Sequence, residues 1–225
     1  IAVDAGRVSG LPGRLYQNQA NWRFRDVSSA SLPTEAPGYS HGCSVADFDA
    51  DGWPDLLVTC FGTCRLLRNA GDGTFTDVTR AAALDIPGGH TASAWADYDL
   101  DGSVDLYVAG FCEWSLDSRH AWCGDHGRGL QDVCPPQRYA PSTDRLFHNR
   151  GDGEFDDHTA VAMIRTDGRG LGVVSSDLNS DGWPDFYVAN DGDANHLYLG
   201  RADLPMTEAG FELGVAFDAN GVAQG

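Results

Sequence analysis

The chain has 225 residues, 42% of them apolar, and a formal net charge of −18. A balance this acidic argues against nucleic acid or an anionic membrane surface as a partner, and no stretch approaches the roughly 18 consecutive apolar residues of a membrane-spanning helix. No charged-then-apolar leader precedes Ile1, so the sequence reads either as a chain that has lost a signal peptide or as a piece of a longer protein.

In chain order, the first legible element is RLYQNQANWRFRDVS (residues 14–28), two short alternating segments around a polar turn. From residue 40 a fuller unit begins. A small-residue apolar strand, GCSVADF, runs into the acidic loop DFDADGWPD (residues 47–55), then a strand DLLVTC. A second strand RLLRN (65–69), a tight NAGDG turn (69–73) and an outer strand TFTDVT follow. The order returns with ASAWADY, DYDLDGSVD (97–105), DLYVAG, RLFHN (145–149), NRGDG (149–153) and EFDDHT, and again with GVVSSDL, DLNSDGWPD (177–185), DFYVAN and HLYLG (196–200). The last unit replaces the GDG turn by RADLPMTEAG. The loops start at residues 47, 97 and 177, so the second interval is 30 residues longer than the first; the excess lies within residues 111–142, a Cys-, Gly-, Pro- and His-rich surface insertion.

Four short antiparallel strands per unit of about 50 residues are the signature of a propeller blade. The expected fold is all-β, a β-propeller of four-stranded blades. It comprises a half-blade at 14–28 and blades at 40–80, at 91–160 with the insertion 111–142, and at 170–218. Three blades and a half do not close a large ring, so residues 1–225 are expected to be a partial propeller, completed by further chain or by other copies.

The repeated loops carry the chemistry. Oxygen side chains at loop positions 1, 3, 5 and 9, with Gly at 6 for a sharp turn, surround one point with hard ligands, which suits Ca2+. Position 12 is Val58, Val108 or Val188, where an EF-hand needs a bidentate Glu, so these are strand-loop-strand sites. The expected ligands are Asp47, Asp49, Asp51 and Asp55; Asp97, Asp99, Asp101 and Asp105; and Asp177, Asn179, Asp181 and Asp185. The backbone carbonyls of Trp53, Ser103 and Trp183 would complete the shells. Three dications would bring the formal charge of −18 to −12. Without them, four carboxylates a few ångströms apart repel one another.

Six cysteines in a Lys-free chain point to disulfides and an oxidising compartment, although six allow about 15 pairings. Cys60 and Cys64 flank FGT and are expected to bridge a hairpin; Cys123 and Cys134 are expected to staple the insertion; Cys43 and Cys112 stay unassigned. The competing reading is a zinc site of His120, Cys123, His126 and Cys134, whose spacing matches no standard finger. His41 and His90 recur in register ahead of two loops, which favours a repeated hydrogen bond at the blade entry over a channel lining. The tripeptide Arg150-Gly151-Asp152 aligns with Ala70-Gly71-Asp72 in the preceding unit, favouring turn geometry over recognition.

These units resemble the FG-GAP/VCBS repeats of integrin-alpha-type β-propellers. GDGTFTDVTRAAAL, WADYDLDGSVDLYVAG and FYVANDGDANHLYLG are similar in particular to the ASPIC/UnbV (cartilage acidic protein) family, and WCGDHGRGLQDVCPPQRY resembles the Cys-containing insertion of its bacterial members. The resemblance implies a seven-bladed ring and Ca2+, about three ions here. No GxSxG elbow, HExxH or phosphate-cradling Gly loop occurs, and no carboxylate pair stands out beyond the loops. The expected function is a noncatalytic extracellular, cell-surface or periplasmic propeller that binds protein or glycan through its loops and insertion. The alternative is an accessory or catalytic propeller of an extracellular carbohydrate-active enzyme.

Overall fold

The computed structural model describes residues 2–4, 7–9, 13–34, 38–114, 122–125 and 127–223, with side chains from residue 13 onward. A first hairpin pairs β1 (Ala2–Asp4) with β2 (Arg7–Ser9), and a second pairs β3 (Tyr16–Asn18) with β4 (Phe24–Asp26), followed by the single turn α1 (Ser28–Ser31). The first four-stranded unit is β5 (Tyr39–Ala46), β6 (Asp55–Thr63), β7 (Arg65–Asn69) and β8 (Phe75–Asp77). In the second unit β9 (Pro87–Ala96) and β10 (Asp105–Gly110) are followed by the insertion hairpin β11 (Gly124–Asp125) and β12 (Leu130–Gln131), then by β13 (Arg145–Asn149) and β14 (Phe155–Asp157). The third is β15 (Gly170–Ser176), β16 (Asp185–Asn190), β17 (His196–Leu199) and β18 (Thr207–Glu208). Three antiparallel meanders side by side make a partial β-propeller.

The core lies between blades rather than inside them, and strand periodicity explains why. Alternate side chains of a strand face opposite sides, and β10 is buried on both. Leu106 and Val108 pack with Phe48, Leu57 and Leu66 of the first unit, whereas Tyr107 packs with Phe186, Val188 and Tyr198 of the third. All six residues of β10 are buried, which is why DLYVAG reads as a nearly continuous apolar run. The Ser- and Thr-rich inner strands are bonded to one another across blades. Ser44 Oγ lies 2.6 Å from Ser93 Oγ, Thr91 Oγ1 donates to the Gly170 carbonyl at 2.6 Å, and Ser175 Oγ donates to the Trp95 carbonyl at 2.8 Å. His41 Nδ1 lies 3.0 Å from the His90 carbonyl oxygen, in the same inner layer.

The outer hairpins repeat one bond set. Arg14 pairs with Asp26, Arg65 with Asp77 and Arg145 with Asp157. The hydroxyls of Ser28, Thr79 and Thr159 accept the backbone N–H groups of Leu15, Leu66 and Leu146 at 2.8, 3.0 and 3.1 Å. The hairpin at 14–28 thus has the chemistry of the outer half of a blade.

One expected disulfide is corrected here. Cys60 and Cys64 are buried free thiols. FGT is no turn: it extends β6, and Phe61, Gly62 and Thr63 pair with Gly89, Gly88 and Pro87 of β9, which stitches the first two blades together. The insertion does close through Cys123–Cys134, with the Cα atoms 5.2 Å apart. It is strapped to the third blade by Arg169, 8% exposed, whose guanidinium donates to the Pro136 and Tyr139 carbonyls and pairs with Asp193 at 2.6 Å. Gln137 Nε2 adds a bond to the Asp191 carbonyl at 2.9 Å.

Candidate metal centre

Each acidic loop joins the inner strand of a blade to its neighbour, β5 to β6, β9 to β10 and β15 to β16, so all three lie at the blade end opposite the insertion. Their backbones are the same. Position 4 is left-handed in each (Ala50 φ 54°, Leu100 φ 56°, Ser180 φ 63°), and the Gly at position 6 has φ 90°, 97° and 92°, conformations that glycine alone adopts freely. The first Asp draws the loop around itself. Asp47 accepts the N–H groups of Asp51 and Gly52 at 3.0 and 2.9 Å; Asp97 those of Asp101 and Gly102 at 3.0 and 2.9 Å; Asp177 those of Asp181 and Gly182 at 3.1 and 2.9 Å. The position-5 carboxylates of Asp51, Asp101 and Asp181 accept the N–H groups of Trp53, Ser103 and Trp183.

Position 7 seats the loop on the neighbouring turn. Gly71 has φ 76°, and a Cβ there would lie 2.6 Å from the indole nitrogen of Trp53, so the NAGDG turn accepts no side chain at that point. Ser103 lies over Gly151 in the same way, and Trp183 lies against Gly200.

The position-9 aspartates are wholly buried. Asp55 accepts the N–H groups of Asn69 and Phe48 at 2.7 and 3.1 Å, Asp105 those of Asn149 and Tyr98 at 2.8 and 3.0 Å, and Asp185 those of Gly200 and Leu178, both at 2.8 Å. These residues therefore brace the loop to the end of the third strand as well as facing the carboxylate cluster.

Ligand atoms converge in two of the loops. Carboxylate oxygens of Asp47, Asp49 and Asp55 lie within 4.8 Å of one another, as do those of Asp97, Asp99 and Asp105. The crowding has an electrostatic signature. Burial, and then the charges of Asp49 and Asp51, push the Asp55 carboxyl up; burial, and then the charge of Asp99, push Asp105 up to about 7; burial and the neighbouring Asp101 raise Asp99. A dication at either cluster would relieve that repulsion, and an oxygen-only donor set suits a hard ion. In the third loop Asn179 Nδ2 donates to Asp181 Oδ2 at 2.9 Å, so an amide meets the position-5 carboxylate there.

The residue just before Asn69 and Asn149, which brace the position-9 aspartates, faces the first two loops, and sequence reasoning missed it. In the first blade it is Arg68, whose Nε lies 2.7 Å from Asp49 Oδ2 and whose Nη2 lies 3.2 Å from Asp51 Oδ2. In the second it is His148, with Nδ1 3.3 Å from both Asp99 Oδ2 and Asp105 Oδ1 and Nε2 3.9 Å from Asp101 Oδ2. In the third blade the aligned residue, just before Gly200, is Leu199, the last of β17. Stacking RLLRN, RLFHN and HLYLG in repeat register would have exposed the position.

Two disfavoured readings, zinc at the insertion and recognition through Arg150-Gly151-Asp152, are resolved here. The zinc site at the insertion falls away because Cys123 and Cys134 are bonded to each other; His120 and His126 lie outside the described residues. Arg150 of the Arg-Gly-Asp tripeptide pairs with Asp152 at 3.1 Å and with Glu154 at 3.0 Å, within the turn itself.

Fold and site together define a partial β-propeller with an acidic loop at the entry to the second strand of each complete blade. The FG-GAP-like repeat model matches residues 3–58, 47–108 and 127–188, and the chain belongs to that family. It is also 26% identical over 204 residues to human cartilage acidic protein 1 (Homo sapiens), an alignment that covers 74% of this chain and 30% of that protein. The chain thus spans about a third of its relative's length.

Proposed function

We propose that this chain is a noncatalytic, calcium-binding extracellular β-propeller segment that serves as a scaffold for a protein or glycan partner. The observation that carries the reading is the threefold loop geometry. The same aspartate-centred turn, with the same left-handed residues, recurs at the same blade position three times, and all-oxygen donors in a flexible loop favour Ca2+ over Mg2+. The Cys123–Cys134 bond supports an oxidising compartment. The noncatalytic reading is supported by the two carboxyls that burial raises to about 7, Asp105 and Asp144: Asp144 is 2% exposed and Asp105 wholly buried, both tied to backbone N–H groups, so neither reaches a substrate. The insertion at 111–142 and the blade-end loops are the partner-facing surfaces, and further chain or other copies complete the ring. The test is retention of the calcium-loaded chain on immobilised glycans and extracellular proteins, with and without chelator, alongside a glycoside-hydrolysis assay. Calcium-dependent retention without turnover is expected; turnover would overturn the noncatalytic reading.

A further inference from the structure

The three loops share one aspartate-centred scaffold, and the third-strand position that meets the first two holds a different residue in each blade, which makes each loop a control for the others. Arg68 presents a guanidinium, which has no lone pair and acts only as a counter-cation competing for the site. Leu199 presents nothing polar. His148 presents an imidazole, the one group of the three able to donate an electron pair to a metal. Its Nδ1 is buried and has no hydrogen-bond partner of its own, although it lies 3.3 Å from Asp99 Oδ2 and from Asp105 Oδ1. That spacing is close to the separation of about 3 Å between adjacent ligands of a first-row dication with bonds of about 2.1 Å. Ligand atoms of Asp99, Asp101 and His148 all fall within 4.8 Å of one another. The ring is held from behind: it stacks on His158 at 4.9 Å with 10° between planes, and His158 Nδ1 is fixed 2.7 Å from the Tyr98 hydroxyl. The stack fixes the plane of the His148 ring, so Nδ1 stays directed at the carboxylates.

We propose that the second loop is a mixed nitrogen–oxygen site, in which His148 joins the Asp97, Asp99, Asp101 and Asp105 cluster and selects a first-row transition dication over Ca2+. Imidazole favours transition ions, whereas Ca2+ prefers oxygen alone. This inference rests on the reading of the loops as cation sites and deepens it: one blade differs in metal class from its neighbours.

The test uses Mn2+, which enters oxygen sites without recruiting the free thiols and reports a bound nitrogen directly. The whole chain is loaded with Ca2+, titrated with Mn2+, and examined by metal counting and by pulsed electron paramagnetic resonance for 14N coupling. One Mn2+ is expected to exchange in ahead of any other and to show directly bound 14N. His148→Leu, which copies the third blade, is expected to abolish the 14N signal and to lower that site's preference for Mn2+ over Ca2+ by about tenfold or more. His148→Arg, which copies the first blade, gives the same loss of signal should the Leu variant fold poorly. Absence of 14N coupling in the wild-type chain, or its persistence in both variants, would overturn the proposal. One nitrogen-bound Mn2+ in a chain that holds no Ca2+ would support this inference and contradict the calcium reading; a full Ca2+ complement with no nitrogen-bound Mn2+ would do the reverse.

Discussion

The backbone N–H of Asn149 donates to Asp105 Oδ1 at 2.8 Å across 44 residues of sequence, the same bond that Asn69 makes to Asp55 at 2.7 Å across 14. The insertion lengthens the connection and leaves the brace unchanged. The ninth residue of each acidic loop therefore has a structural role that does not depend on metal.

That separation of roles is testable. Asp105→Ala strands the N–H groups of Asn149 and Tyr98 in a buried site, so unfolding free energy should fall by about 2–5 kcal/mol even in chelator. Asp101→Ala removes a half-exposed carboxylate and should cost stability chiefly when metal is present, by about 3 kcal/mol at a hundredfold excess of Ca2+ over Kd. Urea unfolding with EGTA and with Ca2+ separates the two. An Asp105→Ala chain as stable as wild type in EGTA would show that the brace contributes nothing.

Asp144 should impose a pH dependence of its own. It is buried between the second and third blades, accepting the Tyr107 hydroxyl and the Gly110 N–H, each at 2.7 Å, and burial pushes its carboxyl up to about 7. The folded chain holds this proton more tightly than the unfolded chain, so the Asp144 contribution to stability falls as pH rises from about 4 to about 7. His90 runs the other way: burial lowers it to about 4, so its contribution grows as pH rises from about 4 to 6.5. Comparison with Asp144→Asn isolates the acid. The variant should match wild type near pH 4 and exceed it by about 3–4 kcal/mol above pH 7. A difference that does not change with pH would refute the assignment.

Thiol chemistry should follow burial. Nonreducing peptide maps should recover Cys123 joined to Cys134, a closure of the insertion worth about 3 kcal/mol to its local order. In the native state a thiol reagent should reach the exposed Cys43 and spare Cys60 and Cys64; burial pushes Cys64 up to about 12. Rapid labelling of Cys64 before unfolding, or recovery of a Cys60–Cys64 bridge, would contradict the strand pairing of Phe61–Thr63 with β9.

Much of the fold is legible because its signals are local and repeated. DxDxDG turns, NxGDG turns and period-two apolar strands each fix a neighbourhood, and their recurrence fixes the order of strands. What the sequence hides is what one blade presents to the next. FGT looks like a hairpin turn flanked by two cysteines until β9 is known to lie beside it. Arg68 and His148 look like ordinary strand residues until the loops fold down over them. Asp144, in the unremarkable run STDRLF, is buried where Tyr107 and Tyr198 meet across the blade interface, their ring centroids 6.0 Å apart. Local pattern names the elements, whereas packing between blades decides these side chains.

The most direct test of the central claim is thermal unfolding of the chain with Ca2+, with Mg2+ and with EGTA. Carboxylates gathered at one point need a counter-ion, and a metal that binds only the folded loops adds its binding energy to stability. Ca2+ should raise the midpoint by several degrees over EGTA, since about 3 kcal/mol corresponds to that shift in a domain of this size, and Mg2+ should substitute poorly. A midpoint unchanged between Ca2+ and EGTA would contradict the assignment of these loops as calcium sites.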